Sequence, residues 1–354
     1  MKIVTIIGAR PQFIKAAVVS RAIKKNSDIE EIIVHTGQHY DANMSDVFFS
    51  EMGIPHPNYN LNINALLHGA MTGRMMEEIE KILIAEMPDW VLVYGDTDST
   101  LAGALAACKL HIKLAHVEAG LRSFNMQMPE EVNRILTDRV SSVLFCPTDK
   151  AIENLQNEGF KNFDCSIIRS GDVMYDAAIF YQRKATKPKT AMPEKFVLCT
   201  VHRAENTDDD NNLNGIFSAL EAISADIPVL IPIHPRTKSI LLKNNYDFNN
   251  SKICFIDPVG YFEMIWLITN SVLVMTDSGG LQKEAYFFKK KCVTLREQTE
   301  WQELITCGCN VLAGADSKTI IEKVKFMLNV TTDFSIPLYG NGNAGQDIVK
   351  VLNR

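Results

Sequence analysis

No Cys-x-x-Cys pair occurs among the eight cysteines of this 354-residue chain. Without paired spacings there is no disulfide framework to expect, and a reduced, cytoplasmic compartment is the natural reading. Most of the thiols sit inside apolar runs such as VLFCP, FVLCT and KICFID, where cysteine packs as a small hydrophobe. Cys307 and Cys309, in TCGCN, stand too close together to hold a metal without other ligands. An excess of charge of one sign is also missing. With 36 basic and 42 acidic side chains the net charge is -6, which argues against a nucleic-acid or anionic-membrane surface. A long apolar run is absent at the start as well. In MKIVTIIGAR the apolar run is only five residues and is followed by charge, so the segment predicts a first strand rather than a signal sequence or a membrane span.

What is present suits a globular enzyme. The hydrophobic share is 46% and the charged share 22%, and the length predicts about two domains with a large buried interior. Short runs rich in Val and Ile alternate with longer amphipathic segments, the pattern of a parallel sheet covered on both faces. In the first half KIVTIIG, EEIIVHTG, DWVLVYG, KLAHVEAG and SSVLFCP predict strands. Between the first two, PQFIKAAVVSRAIKK predicts a helix with Pro11 at its first position and Phe13, Ala16, Ala17 and Val18 toward the sheet. The polar stretch RKATKPKTAMPEK, 183–195, predicts a linker. KFVLCTVH, PVLIPIH, KICFIDP, SVLVMTDS and KCVTLRE then predict a second doubly wound domain. The expected fold is thus α/β, two Rossmann-like doubly wound domains facing a cleft. The boundaries expected are 1–185, joined by the terminal helix 341–354, and 190–335. Ligands of such sheets bind outside the strand C-termini.

Candidate site residues gather at those strand ends. GARPQFIK opens the first helix and places Arg10 and Lys15 beside free backbone N–H groups that favour an anion. That turn is neither Gly-x-Gly-x-x-Gly nor a Walker loop, so no dinucleotide or ATP signature accompanies it. In GDTDST, capping accounts for Thr97, Asp98 and Ser99 but leaves Asp96, before the cap, for an orienting or catalytic role. DSGGLQKEA offers Ser278, Gly279 and Gly280 as a diphosphate cradle at a helix start, with Glu284 placed to reach ribose hydroxyls. TVHRAEN and IHPRTK put His202 and His234 at strand ends without metal-ligand spacing; each can contact phosphate, act as acid or base, or simply be satisfied by loop carbonyls. In HVEAGLRSFNMQMPEEVNR, a helix start explains Pro129, Glu130 and Glu131, with Arg134 spaced to pair with Glu130. It does not explain Glu118. A twelve-residue separation lets a loop bring Glu118 and Glu130 together, and crowded carboxylates raise one another's pKa, as suits a proton taken from one face and returned to another.

The segments GARPQFIK, GDTDST, HVEAGLRS, PEEVNR, HRAEN, IDPVGY, DSGGLQKEA and YGNGNA together resemble the non-hydrolysing UDP-N-acetylglucosamine 2-epimerases, in order over nearly the whole chain. The resemblance implies two Rossmann-like domains in the arrangement called GT-B or glycogen-phosphorylase-like, usually a dimer, and C2 inversion of a UDP-sugar. The reaction it implies is elimination of UDP to a 2-acetamidoglucal and re-addition after reprotonation. Carried over residue by residue, Asp96, Glu118 and Glu130 supply acid and base functions and His202 stabilises departing UDP. Arg10, Lys15, Arg134, His234, Ser278, Gly279, Gly280 and Glu284 bind substrate, and Arg122 helps Arg134 position the carboxylates. No cofactor or metal is expected. The partners implied are the UDP-sugar and a second copy of the chain, with neither nucleic acid nor membrane.

Two departures bear on the substrate. After the strand that follows DSGG this chain reads TEWQE, with Trp301 and Gln302 where members acting on UDP-N-acetylglucosamine commonly have Arg and Pro. HTGQHYDANMSDVFF replaces the pattern around which those members bind an activating second UDP-sugar. Both differences resemble the branch acting on UDP-2,3-diacetamido-2,3-dideoxy-glucuronic acid. Competing readings are a glycosyltransferase of the same architecture, a catalytically silent UDP-sugar sensor and the hydrolysing relatives.

Overall fold

A computed structural model describes residues 1–38, 53 and 56–354. Of the stretch HTGQHYDANMSDVFF, residues 39–49 lie outside the described ones. The backbone divides into two compact units, Met1–Ala177 with Leu338–Arg354, and Ala178–Pro337. All pairings between strands in both units are parallel.

The first unit runs β1 (Lys2–Ile7), α1 (Arg10–Ile23), β2 (Glu30–His35), β3 (Tyr59–Asn60), α2 (His68–Glu86), β4 (Trp90–Tyr94), α3 (Asp98–Lys109), β5 (Lys113–Val117) and α4 (Pro129–Val140). It continues through β6 (Val143–Cys146), α5 (Asp149–Asn157), β7 (Ser166–Arg169) and α6 (Val173–Gln182), within which the division between units falls. Its strand order is β3-β2-β1-β4-β5-β6-β7. The order reverses between β1 and β4, and the turns after these strands diverge there to leave room above the sheet. The central strands are buried almost end to end, as both-face coverage requires. Helix α3 lies close over β1 and β4, where a Cβ on its Gly103 would come within 3.1 Å of Ile6 and 3.2 Å of Val93, and its Ala102, Ala104, Ala106 and Ala107 are all buried in the same apolar cluster.

The second unit runs β8 (Val197–Thr200), α7 (Ala204–Thr207), α8 (Asp210–Ser224), β9 (Val229–Pro232), α9 (Pro235–Lys243), β10 (Cys254–Ile256), α10 (Tyr261–Asn270) and β11 (Leu273–Thr276). Then come α11 (Gly279–Phe287), β12 (Cys292–Thr294), α12 (Gln302–Thr306), β13 (Asn310–Leu312) and α13 (Ser317–Asn329), and the chain closes with α14 (Ala344–Leu352) in the first unit. The order β10-β9-β8-β11-β12-β13 again reverses at its centre, between β8 and β11. The core of this sheet is aliphatic, with Val197, Leu213, Ile231, Met275, Val293 and Ile320 in one cluster. Burying each such side chain contributes about 1.5–3 kcal/mol. All ten predicted strands form, and β3, β7 and β13 are added to them at sheet edges.

Candidate active site

In the first unit the turns after β1, β4 and β5 stand side by side. Gly8 and Ala9 donate their N–H groups to the Oε1 of Gln12 at 2.8 and 3.0 Å, while Gln12 Nε2 donates to the carbonyl of Tyr94 at 2.9 Å. One buried amide therefore ties the β1 turn to β4. Gly8 is required there, because a Cβ would collide with Thr36 Oγ1 and Ser99 Oγ. Those two hydroxyls share a hydrogen bond of 2.8 Å, and Ser99 also meets Gln38 Oε1 at 2.6 Å. Arg10 is the first residue of α1, and Lys15 points from its second turn to an ion pair with Glu118 Oε2.

Glu118 follows β5 with φ of 72°, a left-handed conformation that side chains disfavour and that costs about 1–3 kcal/mol. Gly95 has φ of 65°, and a Cβ on it would lie 2.9 Å from Lys15 Nζ and 3.3 Å from Glu118 Oε2. Glycine thus serves both the turn and the close packing of the Lys15–Glu118 pair. Thr97 caps α3, accepting from the Thr100 N–H at 3.3 Å, which leaves Asp96 outside the cap as expected. Asp96 accepts from Arg134 Nε at 3.1 Å and Nη2 at 2.8 Å.

Here the structure corrects two expectations. Arg134 pairs with Asp96 and with Glu131, at 2.5 Å through Nη1, rather than with Glu130. Glu131 is fully buried and collects the N–H groups of Ser123 and Phe124 at 3.0 and 2.8 Å. Burial pushes its carboxyl up, but those two amides and Arg134 outweigh this and hold it below the usual range. An ion pair in that setting gains more than one with the exposed Glu130. Arg122 likewise serves no site carboxylate; it donates to Asp138 at 2.7 Å and grips Glu158 with two bonds of 2.7 and 2.8 Å. Asp96 and Glu118 are each held by a cation, and Glu130 is exposed in the first turn of α4.

The second unit is built differently. Asp277, directly after β11 and fully buried, accepts from the backbone N–H groups of His202 and Arg203, both at 2.9 Å, and from Asn206 Nδ2 at 3.2 Å. This carboxylate shapes the turn that presents His202. The His202 ring lies with Nδ1 3.5 Å from Asp277 and its centroid 5.9 Å from that of His234. Its pKa is lowered: burial, His234 and Arg203 disfavour the cation and outweigh the attraction of Asp277. His234 caps α9, its Nδ1 accepting from the Arg236 N–H at 3.2 Å. Ser278 is the cap residue of α11, and Gly279 and Gly280 open that helix. A Cβ at Gly279 would lie 3.6 Å from Glu300 Oε2, 3.6 Å from Trp301 Nε1 and 3.8 Å from Arg203 Nη2, so these three groups converge on the helix start. Glu284 is half-buried in the second turn of α11.

Sequence reasoning missed Asp277, Asn206 and Gln12. Asp277 had a readable signal, an acid between a strand end and a helix start; Asn206 and Gln12 act through partners 71 and 82 residues away. Among the described residues no group of three His, Cys, Asp or Glu side chains is arranged to hold a metal ion, and no helix is long and apolar enough to cross a membrane.

Residues 21–353 match the family described as UDP-N-acetylglucosamine 2-epimerase. The UDP-2,3-diacetamido-2,3-dideoxy-D-glucuronate 2-epimerase of Pseudomonas aeruginosa is 56% identical over 354 residues, 99% of each chain. The UDP-N-acetylglucosamine 2-epimerase of Methanocaldococcus jannaschii is 44% identical over 367 residues, again 99% of each. A crystal structure of the M. jannaschii enzyme in complex with UDP-GlcNAc and UDP superposes with a TM-score of 0.88 at 43% identity, covering 100% of this chain and 99% of that one.

Proposed function

The chain belongs to the UDP-N-acetylglucosamine 2-epimerase family, and from that membership we propose that it inverts C2 of a UDP-activated 2-acetamido sugar. UDP-2,3-diacetamido-2,3-dideoxy-D-glucuronate is the leading substrate, supported by the name of the Pseudomonas relative; UDP-N-acetylglucosamine is the second, supported by the name of the Methanocaldococcus one. The observation that carries the reading is the pair of cation-held carboxylates, Lys15–Glu118 and Arg134–Asp96, at the ends of β5 and β4.

The chemistry follows from what those residues can do. The C2 hydrogen has no adjacent carbonyl to acidify it, so it leaves only as the C1–O bond breaks. The C2–H electron pair becomes the C1=C2 bond of a 2-acetamidoglucal, the C1–O pair departs with UDP, and the proton passes to a carboxylate. Return of a proton to the opposite face of C2 and attack of UDP on C1 complete the inversion. Asp96, Glu118 and Glu130 supply the acid and base functions, a role general acid–base groups fill for about 10²–10⁴ in rate. Charge develops on the diphosphate as it leaves, so donors aimed at it lower the barrier. His202 takes that part, with Ser278, Gly279 and Gly280 at the start of α11, while Arg10, Lys15, Arg134, His234 and Glu284 bind the substrate.

Proton NMR of the purified protein with each UDP-sugar, following the anomeric signal of the manno product, tests the reading. A manno signal from either sugar is expected, the faster naming the substrate. No conversion of either, with UDP still binding, would leave a transferase or a sensor in its place. We place the enzyme in the cytoplasm as a homodimer serving cell-envelope polysaccharide synthesis. The placing of most cysteines inside apolar runs, where a thiol packs as a small hydrophobe, supports a reducing compartment, and sedimentation of the native protein tests the dimer.

A further inference from the structure

The fully buried His116 belongs to no binding or proton-transfer role described so far, yet it touches each element that carries a proposed acid or base. Its Nε2 lies 2.7 Å from the carbonyl oxygen of Gly95, and its Nδ1 lies 2.7 Å from Asp138 Oδ1. Gly95 is joined by its peptide to Asp96, after β4. His116 stands on β5, two residues before Glu118. Asp138 lies on α4, four and eight residues beyond Arg134 and Glu130, which puts the three on one face of that helix. The other Asp138 oxygen accepts from Arg122 Nη1 at 2.7 Å and from the Gly120 N–H at 3.1 Å, and Arg122 ends on Glu158.

From this geometry we infer that His116 is a positioning residue, an imidazolium that locks the Gly95–Asp96 peptide, β5 and α4 in register so that Asp96, Glu118 and Glu130 hold their places around C2. The proposal rests on the epimerase reading. A carbonyl oxygen can only accept, so Nε2 must carry a proton; an ionised Asp138 likewise only accepts, so Nδ1 must carry one too. The chain Glu158, Arg122, Asp138, His116 then alternates in charge and sums to zero, the condition under which buried charges persist. Burial would push the Asp138 carboxyl up, but His116 and then Arg122 outweigh this and hold it down. The side chains of His116, Asp138 and Arg122 are all at most 1% exposed, so no water replaces a lost partner.

The test compares H116Q with the double variant H116Q/D138N. A glutamine can donate to the Gly95 carbonyl, but its amide oxygen then faces the Asp138 carboxylate; with asparagine at 138 an N–H meets that oxygen and a neutral version of the relay returns. H116Q is expected to lower kcat about 10- to 100-fold with KM within about threefold, the scale of a small misplacement of reacting groups, and the double variant to recover most of the loss. A folded H116Q with native kcat, or an equal fall in both variants, would overturn the proposal. If H116Q fails to fold, the native enzyme still decides. Two-bond proton–nitrogen spectra of His116 in the folded enzyme are expected to show both ring nitrogens protonated, and a neutral ring would overturn the relay. A native protein without turnover on either sugar would count against the epimerase reading, not the relay, which the nitrogen spectra test independently.

Discussion

The two units use related parallel sheets to present opposite kinds of groups. At the strand ends of the first, charged side chains project and hold one another: Lys15 with Glu118, and Arg134 with Asp96 and Glu131. At the strand ends of the second, a carboxylate is spent inward. Asp277 is buried and gathers the N–H groups of the 202–203 turn, leaving imidazoles and a helix start as what is offered outward. Carboxylates suit transfer of a proton, whereas backbone N–H groups and imidazoles suit a diphosphate whose charge grows as it leaves. The physical basis of the division lies in the turns. Glu118 sits in a left-handed conformation that aims its carboxylate along the sheet end, while Asp277 precedes the start of α11 and turns back under the neighbouring turn.

The largest effect that sharpens this division is expected from Glu118→Gln. Removing the charge should lower kcat about 10²–10⁴-fold, with UDP affinity measured by titration calorimetry nearly intact. A variant that lost UDP binding instead would move Glu118 from proton transfer to nucleotide holding. Asp277→Asn should do the converse, raising KM and weakening UDP binding about 10-fold. It also leaves the amides of His202 and Arg203 with a weaker acceptor, a loss of about 1–3 kcal/mol read by chemical denaturation.

Much of this contrast can be read in the sequence, and the limit is instructive. The ten predicted strands announce themselves by apolar runs, whereas β3, β7 and β13, of two to four residues at sheet edges, lie in segments with too little apolar pattern to be seen. Asp96 stands out because capping uses Thr97 and leaves it over. Which cation holds it does not stand out: Arg134 is 38 residues away, and local spacing favours Glu130. Sequence periodicity tells which face a side chain occupies, but partners across the sheet ends depend on which strands are neighbours. The same holds for His116 and Asp138, 22 residues apart and brought together by β5 and α4.

Smaller effects test the electrostatics of each unit. His202 has a lowered pKa before any anion arrives, so binding a diphosphate should raise it and draw in a proton. UDP affinity should therefore increase as pH falls from 8 toward 6, with proton uptake seen as calorimetric heats that differ between buffers; His202→Asn should abolish the uptake. Affinity independent of pH would remove His202 from contact with the diphosphate. Asp176, outside both strand-end clusters, accepts from the Gly345 N–H at 3.0 Å, and burial raises its carboxyl to about 6. A raised carboxyl pKa means that the folded state binds the proton more tightly. Its contribution to stability is present below the unfolded value and is lost as pH rises through about 6. Asp176→Asn should accordingly stabilise the protein by about 1 kcal/mol at pH 7.5 and gain nothing at pH 4, with turnover unchanged. A destabilised variant at pH 7.5 would show that the charge is compensated.

The division of labour stands or falls on where the proton goes. Turnover in D₂O, followed by proton NMR of the epimerised sugar, should yield a manno product carrying deuterium at C2 and at no other carbon. A manno product that keeps its original C2 hydrogen would contradict proton transfer through the first unit's carboxylates.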